Sequence, residues 1–128
     1  MKWVAILLAA GSLFAFGPQK QKKPADVEIV ETKVVRDSGK ISVDGKVKVT
    51  GEKPLHGLVL FFDFRSPEKE VVTSQKAVID DATLEPGHDG VFHNEMVDAP
   101  RAVKYTIRAF DIHEKELRVS NPGPFVIE

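Results

Sequence analysis

The sequence predicts an all-β fold, an antiparallel immunoglobulin-like sandwich of about seven strands preceded by a signal peptide. Apolar residues recur at every second position in several stretches, the spacing of a strand with one buried face. Turn residues interrupt these stretches about every ten residues, as in sandwiches. No stretch of useful length holds the 3.6-residue period of an amphipathic helix. A small closed barrel is the alternative architecture.

The first segment, residues 1–17, has the composition of a secretory signal peptide. Lys2 precedes the apolar run Trp3–Phe16, with small residues near its end and polar "GPQKQKK" after it. The run is shorter than the roughly 17–25 residues that span a bilayer as a helix. Cleavage after Ala15 or Gly17 would release an exported chain, periplasmic or secreted, with no stable membrane span; an uncleaved N-terminal anchor is the alternative. Residues 18–25 read as a basic polar linker carrying Lys20, Lys22 and Lys23, and residues 26–128 as the sandwich. The chain has no cysteine, so packing and sheet hydrogen bonds must hold it without disulfides. A domain of about 100 residues buries enough surface for that, roughly two-thirds of what its unfolded chain exposes.

The strands follow in order. "DVEIVETKVV" from Asp26 is β-branched, with an irregularity expected near Glu31. "ISVDGKVKVT" sets Ile41, Val43, Gly45, Val47 and Val49 on one face against Ser42, Asp44, Lys46, Lys48 and Thr50. "GLVLFFDF" from Gly57 is almost continuously apolar, the pattern of a central strand covered on both sides. "EVVTSQKAVID" and "GVFHNEMV" supply two more. "AVKYTIRAF" alternates again, with Val103, Tyr105, Ile107 and Ala109 inward. "LRVS" and "PFVIE" form the last strand, broken by Asn121–Pro124. Turns are expected at Ser38–Gly39, Gly51–Pro54, Ser66–Pro67, Pro86–Gly87 and Pro100. Tyr105 could bond a nearby turn through its hydroxyl, or serve only as a core aromatic.

"LEPGHDGVF" reads as a structural turn. Pro86 fixes φ near −65° for the second turn position, and Gly87 admits positive φ at the third. Leu84 and Phe92 anchor the two ends by burial, leaving His88 and Asp89 at an exposed tip. The order of "GKVKV", "VLFFD", "LEPGHDGVF" and an alternating strand, over roughly residues 40–119, resembles the FxLYD family of exported bacterial domains. Val59, Leu60, Phe61, Phe62 and Asp63 fall on its name-giving motif, Asp63 as an identity. Leu84, Pro86, Gly87 and Phe92 match its leucine–proline–glycine turn and the aromatic strand after it. Val49 stands where the family has asparagine, and no glycine follows Asp63 in the next turn. The resemblance implies an immunoglobulin-like fold and no assigned activity.

Composition and motifs narrow the function. A net charge of −1 gives no basic excess for nucleic acid. There is no G-x-S-x-G elbow and no glycine-rich phosphate loop. The carboxylates Asp80–Asp81 and Glu114/Glu116 lie in polar stretches that would not set their acidities apart. "HEKEL" from His113 lacks the second histidine of H-E-x-x-H, because the residue there is Leu117. A small periplasmic metal site using His88 and His93, with Asp89 or Glu95, is the alternative function, although no spacing rule makes these groups converge. The leading expectation is an exported, non-catalytic binding or accessory module without a cofactor, its partner another envelope or secreted protein. The candidate partner face is Val59 and Phe61, which point outward if Leu58, Leu60, Phe62 and Phe64 point in. Cover of that face by the 26–35 segment is the competing expectation.

Overall fold

The computed structural model describes residues 25–79 and 82–127. The expected signal peptide, all of the linker but Ala25, and Asp80–Asp81 lie outside the described residues. The described residues form eleven strands: β1 (Val27–Asp37), β2 (Lys40–Val49), β3 (Leu55–His56), β4 (Val59–Arg65), β5 (Val71–Val78), β6 (Thr83–Leu84), β7 (Asp89–Val97), β8 (Lys104–Phe110), β9 (Glu116–Leu117), β10 (Val119–Ser120) and β11 (Phe125–Val126). One sheet has the order β10-β1-β2-β7. The other runs β11-β8-β4-β5, with β9 also paired to β8, and β3 with β6 forms a small separate ladder. The chain crosses between the two large sheets after β2, β5 and β7, which is the connectivity of an immunoglobulin-like sandwich, and twice more around β10.

The β1–β2 hairpin closes through Ser38 and Gly39, at φ 54° and 79°. A two-residue loop with both residues at positive φ matches the twist of the strands it joins. The irregularity in β1 is a bulge between Ile29 and Glu31. Val27 and Ile29 face the core before it, and Thr32 and Val34 take the inward phase after it. One extra residue shifts the phase of a period-two pattern, and here it keeps both halves of a long strand facing inward.

Two findings depart from the expected antiparallel sandwich. The last strand divides between sheets: β10 pairs parallel with β1, and β11 pairs antiparallel with β8. Asn121 (φ 62°) and Gly123 (φ 99°) turn the chain between them, and the Asn121 amide donates to the Ile29 carbonyl at 3.1 Å. The second departure concerns cover. The 26–35 segment does not cover the outer face of β4 but belongs to the opposite sheet, where it pairs with β2 and β10.

The core joins Val27, Ile29, Ile41, Val43, Val47 and Val49 from one sheet with Leu58, Leu60, Phe62, Phe64, Ile107 and Ala109 from the other. Phe62 packs on Phe92 across the sandwich with ring centroids 5.5 Å apart, and Phe64 lies 5.7 Å from Tyr105. Tyr105 is fully buried, and its hydroxyl meets Thr32 Oγ1 at 2.7 Å. Its partner is therefore a strand of the facing sheet and not a turn. A phenol oxygen needs such a partner to be buried without loss.

The Pro86–Gly87 connection is a type II turn. The His88 amide donates to the Glu85 carbonyl at 3.0 Å and Gly87 has φ 85°. The Gly87 amide also donates to the Val49 carbonyl at 2.8 Å, tying the turn to β2. Leu84 and Phe92 are buried on either side, with Pro86 and His88 exposed. A Cβ on Gly87 would meet nothing within 4 Å. Gly87→Val should therefore lose about 1–3 kcal/mol through backbone strain alone, with His88→Ala within about 0.5 kcal/mol of the parent. Urea titrations of both variants check this, and equal small effects would contradict the turn chemistry.

Candidate binding face

Strand β4 divides its residues between two environments. Leu58, at its start, with Leu60, Phe62 and Phe64 face the core, and Val59, Phe61, Asp63 and Arg65 face outward. In register on β8, Phe61 stands opposite Arg108, Asp63 opposite Thr106 and Arg65 opposite Lys104. On β5, Phe61 stands opposite Lys76 and Asp63 opposite Ser74.

Asp63 is the centre of this outer face. It is 5% exposed, and a carboxylate in that position requires compensating partners. Arg108 supplies a two-pronged contact, Nε to Oδ2 at 2.7 Å and Nη2 to Oδ1 at 3.0 Å. The Ser74 hydroxyl donates to Oδ1 at 2.6 Å. Burial by itself pushes the Asp63 carboxyl up, but the bonds from Arg108 and Ser74, with the charges of Arg108 and Arg65, hold it below the ordinary aspartate value.

The Arg108 guanidinium also roofs two aromatic rings. It lies 5.3 Å from the Phe61 centroid and 5.6 Å from that of Phe110. These rings meet edge to face at 5.4 Å. Neighbours in the same sheet thus half-cover Phe61, and among the described residues no second layer lies over it. Val59, Phe61, Lys76, Arg108, Phe110 and Ile112 line an open groove of about 560 Å³. Ile112 and Val78, 61% and 59% exposed, extend the apolar surface at this end.

The expected metal pair does not assemble. His88 closes the exposed turn, and His93 lies in mid-strand bonded through Nδ1 to Asp44 of β2. That bond raises the His93 pKa above its ordinary value. No group of three histidine, aspartate or glutamate side chains converges on a metal-sized site among the described residues. His56 bonds Thr83 at 3.0 Å. "HEKEL" begins in the β8–β9 turn, where the Asp111 carboxylate accepts the His113 and Lys115 amides. Those amide bonds hold Asp111 below its usual carboxylate range.

The Asp63–Arg108 pair is the feature that sequence reasoning missed. Its one signal was an aspartate inside the apolar run "VLFFDF", since a carboxylate among core residues implies a cation nearby. Which cation was settled by a register across 45 residues.

The fold has solved relatives. A calcium binding mutant of Bacteroides uniformis beta-glucuronidase 2 superposes on 73% of this chain with TM-score 0.54 and 16% identity. Bacteroides uniformis beta-glucuronidase does so over 72% with TM-score 0.53 and 14% identity. IrmA from Escherichia coli matches 80% of this chain and 95% of its own length, with TM-score 0.50 and 9% identity. This chain spans only 13–14% of the glucuronidases. At these identities the likeness shows a β-sandwich module and nothing of its chemistry. No family model and no curated protein matches the chain.

Proposed function

We propose that this chain is an exported, non-catalytic, FxLYD-like β-sandwich that binds another envelope or secreted protein through the outer face of β4 and β8. One observation carries the reading. The groove at Val59 and Phe61 combines two aromatic rings and a partly exposed arginine. Exposed Ile112 and Val78 flank it. Aromatic and arginine side chains supply most hot-spot energy at protein interfaces. The signal-like segment at residues 1–17 supports export. The Ser66 hydroxyl, the one serine in an S-x-x-K spacing, is buried in a turn accepting the Glu68 and Glu70 amides, which supports the non-catalytic reading. The metal alternative gains no support from His88 and His93, which have no common target.

Phe61→Ser tests this. Half-covered by its own sheet, Phe61 should lose only about 1 kcal/mol of folding stability on truncation, against the 3–5 kcal/mol of a core phenylalanine. Crosslinked capture of a partner in the native envelope should fall away with it. A stability loss of core size, or capture unchanged in a folded variant, would defeat the proposal.

A further inference from the structure

The end of the outer face away from the Phe61 groove carries a like-charge pair. Arg65 of β4 and Lys104 of β8 stand in direct register. Elsewhere among the described residues, directly registered ionisable pairs join an acid to a base, as with Glu28 and Lys48, Lys33 and Asp44, or Asp37 and Lys40. Like charges placed opposite each other destabilise a sheet. Beyond the field of the Asp63 carboxylate on Arg65, no ion pair among the described residues relieves this pair. None of the ion pairs among them involves Arg65, Lys69 or Lys104. Asp63 shares the strand and the face, but its oxygens are engaged by Arg108 and Ser74.

These three cations surround a pocket of about 720 Å³ whose lining includes no carboxylate among the described residues. Its walls are Pro67, Val103 and Pro124. The pocket is built rigidly. The Lys69 amide closes a turn onto the Ser66 carbonyl at 2.8 Å, and the buried Ser66 hydroxyl accepts the amides of Glu68 and Glu70. Lys69 is held at φ 71°, and its carbonyl accepts Arg65 Nη1 at 3.1 Å. The guanidinium is oriented by two neutral acceptors, the Lys69 carbonyl and the Thr106 hydroxyl, and forms no ion pair among the described residues.

We propose that this pocket takes carboxylates of an extended acidic segment of the protein partner, laid along β4. An apolar side chain of that segment would fill the Phe61 groove, with an acidic one at Arg65 and Lys104. Phe61 and Arg65 are four residues apart on one strand, about 13 Å at strand rise, so an extended peptide offers matching side chains four positions apart. Three cations between apolar walls suit carboxylates on methylene stems, and they are few for a polyanion backbone. This inference rests on the Phe61 groove being a binding site, and the test separates the two.

Two fluorescein-labelled peptides serve as probes. Each carries a phenylalanine separated by threonines from a pair of charged residues, glutamates in one and lysines in the other. By fluorescence anisotropy the glutamate peptide should bind about tenfold or more tightly than its lysine counterpart and weaken as salt is raised. Lys104→Gln should erase most of that preference while leaving the melting temperature level or higher, since it removes the repulsion. Arg65→Gln should also erase the preference, with some loss of melting temperature because its bond to the Lys69 carbonyl goes with it. If Lys104→Gln binds the glutamate peptide as before, or a heparin tetrasaccharide competes more strongly than that peptide, the acidic-segment assignment is wrong. If Phe61→Ser weakens both peptides and Lys104→Gln neither, the groove stands and this inference falls. If Lys104→Gln weakens the glutamate peptide and Phe61→Ser does not, the pocket stands and the groove reading falls.

Discussion

Gly45→Ala should cost about 3 kcal/mol, toward the upper end of overpacking effects in a closed core, and lower the melting temperature by roughly 15 °C. Gly45 lies on the inward face of β2, directly opposite Phe92. A Cβ there would come 2.5 Å from the Phe92 ring and closer still to the Glu31 carbonyl. The ring could tilt, but the carbonyl belongs to the backbone just past the β1 bulge. Phe92→Leu combined with Gly45→Ala should therefore recover only part of the loss. Gly51→Ala is the control, because its Cβ would meet nothing nearer than 3.7 Å; it should stay within about 0.5 kcal/mol. Thermal and chemical unfolding of the three variants measure this, and a Gly45→Ala loss under about 1 kcal/mol would mean the bulge yields easily.

Arg108→Ala should cost about 2 kcal/mol at neutral pH, less than the loss from a fully buried pair because the Arg108 side chain is 42% exposed. The sign of its pH dependence is set by Asp63. In the parent, the folded carboxyl titrates below its unfolded value of about 4. The pair's contribution is therefore complete above that value and is lost as pH falls through the lower folded one. Without Arg108, burial pushes the carboxyl up, and protonation relieves the stranded charge. The deficit of the variant should accordingly shrink as the medium is acidified toward pH 3, followed by urea titrations at stepped pH. A pH-independent deficit would assign the loss to the arginine stem packed on Phe61 and Phe110 instead. Asp63→Asn, which removes the titrating group, should flatten the parent's acid limb.

Much of the β architecture was legible because strand patterning is local. The alternation in "ISVDGKVKVT" and "AVKYTIRAF" reads directly as two half-buried strands. The break of phase near Glu31 reads as an irregularity, which the structure resolves as a bulge, because an odd-to-even switch in a strand demands an extra residue. Less was legible where one pattern admits two environments. The apolar run at β4 suggested cover on both sides, yet its outer face is finished by side chains of its own sheet, with arginine over two rings. An arginine stem shields apolar surface while its head stays partly wet, and hydropathy along the chain does not register that.

What the sequence by itself determined is therefore the longer strands (though not the two-residue β3, β6 and β9), the inward faces of β2 and β8, and the turn chemistry at Ser38–Gly39 and Pro86–Gly87. Each depends on a backbone preference or a period contained within a few residues. The tertiary structure alone decided sheet membership, the division of the last strand between sheets, and the two charge pairings of the outer face. Asp63 meets Arg108, and Arg65 faces Lys104, only because β4 and β8 lock in one register. That register is chosen by the burial of Leu60, Phe62, Tyr105 and Ile107 on the other side, a cooperative choice among residues distant in the chain.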